Sequence, residues 1–165
     1  MKNKLLFMTP PYDVGFVAGR EEAAFLERAF PTVQFVSQSD VTFAQLGTSR
    51  EAARRFAADI KRACRLVGWI VPTIYRAGGI SSAQAHEVAD AELQVIRSTS
   101  PELKFSDLRQ TLAVGNPMTW AFTTEVQSPN GAAGSWRRYF EVDRVTGEPW
   151  DESTYSEYRK LSPLG

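Results

Sequence analysis

Cysteine and histidine are almost missing from the chain: Cys64 and His86 are the only ones in 165 residues. A lone cysteine forms no internal disulfide, so a disulfide-stapled scaffold is excluded and a cytoplasmic setting is expected. One histidine and one cysteine make a poor ligand set for zinc, and the carboxylates lack a diagnostic calcium spacing. No metal or cofactor is expected. Long apolar runs are lacking as well. The most hydrophobic one, residues 66–75, contains Pro72 and falls well short of the roughly 20 residues of a membrane span. It reads as part of a buried helix. Near the start, Leu5 to Met8 is too short for the apolar region of a signal peptide. Net charge is absent, because 19 basic and 19 acidic residues cancel. The whole molecule is therefore no electrostatic trap for nucleic acid or an anionic membrane. Phosphate-loop, dinucleotide-binding, nucleophile-elbow and zinc-protease motifs do not occur, and no catalytic residues are assigned.

What is present describes a folded chain. Hydrophobic residues make up 43% and charged residues 23%, the ordinary globular mix. At this length one α+β domain over 1–165 is expected, with a core that needs no covalent staples. Short buried strands are predicted at 5–8, 33–36 and 41–43. A helix is predicted over 19–30, with Ala23, Leu26 and Phe30 on one face and Pro31 as its stop.

Thr48 and Glu51 read as a capping box. From there Ala53, Phe56, Ile60, Cys64, Val67, Val71 and Ile74 recur at spacings of three and four, which predicts a long helix over 49–77 kinked at Pro72. Ser81 and Gln84 form a second capping box opening a helix over 82–97, with Ala85, Val88, Ala91 and Val95 as its buried stripe. Ser100-Pro101 suggests a third, short helix. From 118 onward the period changes to two. Met118, Trp120, Phe122, Thr124 and Val126 fall on one face of a strand, and Trp136, Arg138, Phe140 and Val142 on one face of the next. Trp150 would lie on a third strand or an extended tail. The predicted order is helices first, then a C-terminal antiparallel meander.

Charge is uneven along the chain. Residues 48–76 carry seven basic and two acidic side chains, with Arg50, Arg54, Lys61 and Arg65 on one side of a helix. That face suits phosphate or simply solvent. Residues 141–158 carry six acidic side chains and one basic, interleaved with Trp150, Tyr155 and Tyr158. Aromatics beside charge suit a protein interface, and so does an acidic tail folded onto the chain's own basic helix. His86 has Asp90 one helical turn on, a pair suited to general-base work, but no nucleophile or metal partner accompanies it. Cys64 falls on an apolar stripe and reads as a small buried hydrophobe.

Tyr139 to Glu148 reads Y-F-E-V-D-R-V-T-G-E. This resembles the Y-x-V-D-x-x-T-G-E hairpin of PepSY-like and NTF2-like (cystatin-like) small domains, among them several bacterial immunity proteins that neutralise a toxin. The resemblance covers the C-terminal half only. It implies a helix packed on a curved sheet and carries over no catalytic residue. The function expected is a cytoplasmic protein-binding module of the immunity type. It would occlude a toxin domain with a basic cleft through Glu148, Trp150, Asp151, Glu152, Tyr155 and Tyr158, and would have no membrane or nucleic-acid partner. The alternative is a small-molecule binder or enzyme with a pocket between helix and sheet, lined by Trp120, Phe122, Trp136 and Phe140.

Overall fold

The computed structural model describes residues 6–18 and 20–161. Two antiparallel sheets organise it. The first contains β1 (Tyr12–Val17), β2 (Phe35–Gln38), β3 (Val41–Thr48) and β4 (Trp69–Pro72) in the order β2-β3-β1-β4. The second is built around β7 (Thr119–Gln127). Its partner β8 (Ser135–Asp143) follows one edge along its whole length, and the short strands β5 (Lys104–Phe105) and β6 (Arg109–Gln110) share the other.

Helices α1 (Arg20–Ala29) and α2 (Arg50–Cys64) cover one face of the first sheet, where Val14, Phe16, Leu26, Ala53, Ile60 and Ile70 are buried together. The opposite face meets Phe7, Met118, Trp150 and Tyr158, so it is closed by the start of β7 and by the last helix, α4 (Glu152–Leu161). On the second sheet lies α3 (Ser82–Thr99), with Ala85, Ala89 and Leu93 against Phe122, Phe140 and Val142. Phe122 stands directly opposite Phe140 in the ladder. The expected capping box forms: Gln84 N–H donates to Ser81 Oγ at 3.1 Å, and Ser81 N–H to Gln84 Oε1 at 2.8 Å.

The architecture is α+β, but helices and strands are mixed in order, and this overturns the expected arrangement. The meander lies mid-chain, and the C-terminal element is a helix. The long helix over 49–77 is three elements. α2 starts one residue later than expected, with Ser49 as its N-cap, and stops at Cys64 because Arg65 takes a left-handed conformation at φ 58°. β4 and a short 3-10 helix, Thr73–Ala77, follow.

Gly68 permits the reversal: a Cβ there would sit 2.6 Å from Val14 Cγ1, so only glycine lets the returning chain approach β1. The β-branched pair Ile70-Val71 suits a strand, and Pro72, at the end of an edge strand, spoils no ladder. Leu6 and Phe7 are helical rather than extended, while Leu5 and Gly19 lie outside the described residues. β2 is shifted two residues past the expected 33–36, and β3 runs beyond the expected 41–43 to Thr48. Ser100-Pro101 opens a turn into β5, not a helix. On α3 the buried stripe is Ala85, Ala89 and Leu93, and Val95 is 62% exposed.

Candidate functional site

The polar groups of the chain converge where β8 ends. Asp143 is fully buried, and four donors converge on its carboxylate. Val145 and Thr146 N–H donate to Oδ1, both at 2.9 Å. Tyr75 Oη and Trp150 Nε1 donate to Oδ2 at 2.7 and 2.8 Å. The first pair shapes the turn after the strand, which Gly147 completes at φ 71°. The second pair ties the turn to the first sheet and to the segment entering α4. Burial and the Asp143 charge raise the ionisation of Tyr75 far above its ordinary range.

Two residues earlier, Glu141 is also buried. It accepts from Asn116 Nδ2 at 3.2 Å, from Thr119 Oγ1 at 2.8 Å and from the Tyr155 hydroxyl. Burial first, then Glu141, raises Tyr155. On the other side of Thr119, Arg144 donates from Nε to the Thr119 carbonyl at 3.0 Å, and its guanidinium carbon lies 3.9 Å from the centroid of the Trp120 ring. Burial lowers Arg144 to about 10.

The expected contact residues divide into two groups. Trp150 is 7% exposed and Tyr158 1%. Both pack on Phe7, with ring centroids 5.4 and 5.5 Å away, so they belong to the core and are not exposed anchors. Tyr158 Oη accepts from Ile70 N–H and donates to Ile70 C=O, each at 3.1 Å, which closes the free edge of β4. Tyr155 is half-buried on Glu141. Asp151 and Glu152 are exposed at the start of α4. Asp151 caps that helix: Thr154 N–H donates to Oδ1 at 2.8 Å, and these Thr154 bonds hold its carboxyl below the usual range. Glu148 lies half-buried on the turn.

Sequence reading missed Glu92 on α3. Its carboxyl is raised by burial first, with Arg138 acting against the rise and Asp151 adding to it. The basic helix is elsewhere. Arg54, Arg55, Lys61, Arg62 and Arg65 are exposed on α2, across the first sheet from α4. Arg50 turns inward and donates to Tyr12 Oη at 2.9 Å. The acidic segment therefore does not fold onto the basic face.

His86 is exposed, its ring edge-on to Phe122 at 5.3 Å, and no hydrogen bond joins it to Asp90 among the described residues. Cys64 is half-buried, and burial raises its thiol. Among the described residues no group of three or more histidine, cysteine, aspartate or glutamate side chains is placed to hold a metal ion, and no helix is long and apolar enough to cross a membrane. Comparison of the chain with protein-family models, curated proteins and solved structures finds no match.

Proposed function

We propose that this chain is a protein-binding module of the immunity type, which neutralises an enzyme by covering a basic cleft with the acidic surface at the start of α4. One observation carries this reading over the pocket alternative. The space between α3 and the second sheet, where a ligand cavity of the NTF2-like kind would lie, is filled by Ala85, Ala89, Leu93, Phe122, Phe140 and Val142. Surface chemistry is then what a partner meets. Asp151 and Glu152 are exposed there, with Glu148 on the preceding turn. Trp150 and Tyr158 serve this surface from below: by locking the 148–158 segment they hold the acids in place before contact, which reduces the ordering cost of binding. Opposite charge steers association and sets register more than it sets final affinity.

The test is a combined variant, Glu148→Gln, Asp151→Asn and Glu152→Gln, in which asparagine preserves the helix cap. Against a partner isolated on the wild-type protein, the variant should associate more slowly, and its association should lose most of its salt dependence. Unchanged association at low and high salt would overturn the proposal.

A further inference from the structure

The second sheet has an open edge. β8 pairs with β7 along one side, and its other side is taken only at its end. There Trp150 N–H donates to the Glu141 carbonyl and Asp143 N–H to the Glu148 carbonyl, both at 2.8 Å, and Pro149 bridges to Val142. In an antiparallel strand, alternate residues aim their main-chain groups at alternate sides. The register with β7 is unbroken from Ser135 to Asp143. The N–H and C=O groups of Ser135, Arg137 and Tyr139 therefore point to the same side as those of Glu141 and Asp143. Among the described residues no main-chain group pairs with them there. Proteins blunt such an edge with a short strand, a proline, a bulge, a covering segment or charge. From Ser135 to Tyr139 only charge is present, as Arg137 and Arg138. The whole stretch is exposed, and it includes two large aromatics, Trp136 and Tyr139. Glu125 stands opposite Arg137 in the ladder and Glu92 acts on Arg138 through its field. Neither arginine forms an ion pair among the described residues.

We infer that the free edge from Ser135 to Tyr139 takes up an extended acidic segment of a partner protein as an added antiparallel strand. This goes beyond the proposed acidic surface and does not depend on it. The arginines decide the occupant. A second copy using the whole free edge would set Arg137 against Arg137, and like charges directly opposite are destabilising. An incoming strand with two adjacent acids instead sets one opposite Arg137 on one face of the sheet and the other opposite Arg138 on the other face. Apolar residues flanking the acids then lie against Trp136 and Tyr139. The main-chain bonds supply the affinity, and these side-chain pairs supply the specificity. The chain already uses the same edge in this way where Pro149 and Trp150 meet the end of β8.

The probe is acetyl-Thr-Val-Glu-Glu-Val-Thr-amide, with a counterpart carrying two lysines in place of the glutamates. Each is titrated into the full chain and followed by backbone amide resonances and amide hydrogen exchange. The acidic peptide should bind saturably and slow exchange at Ser135, Arg137 and Tyr139. Exchange at Trp136 and Arg138, whose amides face β7, should change little. The lysine peptide should not bind. Arg137→Pro removes an outward N–H without breaking the β7 ladder, and should weaken binding about fivefold or more. Arg137→Gln keeps that N–H, so the alternating exchange pattern should survive while binding loses part of its salt dependence. Should Arg137→Pro fail to fold, a peptide N-methylated at its first valine and second glutamate tests the same bonds on the wild-type chain and should not bind. Equal binding of the lysine peptide, no saturation, no alternation in exchange, or full-strength binding to a folded Arg137→Pro variant or by the methylated peptide would overturn the inference. Slowing at the same amides that grows with protein concentration in the absence of peptide would make the occupant a second copy and would overturn it too.

Discussion

Asp143 shows how a single residue can look like function and turn out to be architecture. Its letter sits in an acidic, aromatic stretch, and that composition alone suggested a contact surface. In the fold, its two oxygens accept four hydrogen bonds from Val145, Thr146, Tyr75 and Trp150. Asp143→Ala should therefore strand several buried donors at once and cost about 3 kcal/mol or more, since each abandoned group forfeits about 1–3 kcal/mol. Tyr75→Phe, which removes one donor and leaves the other three bonds, should cost about 1 kcal/mol. Urea midpoints at fixed m-value measure both; equal, small losses would mean that the carboxylate is not the hub. The turn chemistry of D-x-x-T-G was readable in the sequence because it is local. The partners Tyr75 and Trp150 were not, because one comes from 68 positions away and an indole N–H gives no periodic signal.

At the level of elements, period-two alternation located β7 and β8 and the inward side of Phe122, Phe140 and Val142, because a strand with one buried face must alternate, whereas Trp136 and Arg138, expected on that face, are exposed. Phe122→Ala or Phe140→Ala should accordingly cost about 3–5 kcal/mol, and unchanged urea stability in both would remove the assigned register. Period 3.6 misled over 66–77. Val67, Val71 and Ile74 continued the α2 stripe by coincidence, whereas the chain had already left the helix at Arg65 with no glycine or proline to mark the exit. Helix α4 was missed because Trp150, Tyr155 and Tyr158 were read as surface chemistry, although Asp151 followed by Thr154 is an N-cap pattern. Asp151→Ala should lower stability by about 1 kcal/mol and Asp151→Asn by much less. The sign of the pH effect follows from its depressed carboxyl. The cap contribution is present above the ordinary aspartate range and disappears as pH falls through the lowered value. The gap between wild type and Asp151→Ala in thermal midpoint should thus close on acidification, and a gap that persists at pH 2 would deny the charged cap.

Across the whole molecule, three tyrosines join parts that are distant in sequence. Tyr75 links the first sheet to β8 through Asp143, Tyr155 links α4 to β8 through Glu141, and Tyr158 links α4 to the edge of β4 through Ile70. Burial raises the ionisation of all three, and the Asp143 and Glu141 charges add to the rise for the first two. A raised folded value means that the unfolded chain loses these protons first. Their contribution is complete below the ordinary tyrosine value near 10 and is lost as pH climbs above it. Arg144 works in the opposite sense, because burial lowers it to about 10 and the unfolded chain then holds the extra proton. Three groups oppose one, so stability should fall steeply on the alkaline side. In a titration followed by tyrosinate absorbance and near-UV dichroism together, these three tyrosines should ionise only as the tertiary signal collapses, in one cooperative step. Tyr158→Phe should move that collapse to lower pH despite removing an ionisable group, because Ile70 N–H and C=O are then left unpaired at a buried strand edge and the fold starts from lower stability. Ionisation of all five tyrosines of the chain with the dichroism intact would show that the hydroxyls do not hold the two sheets together.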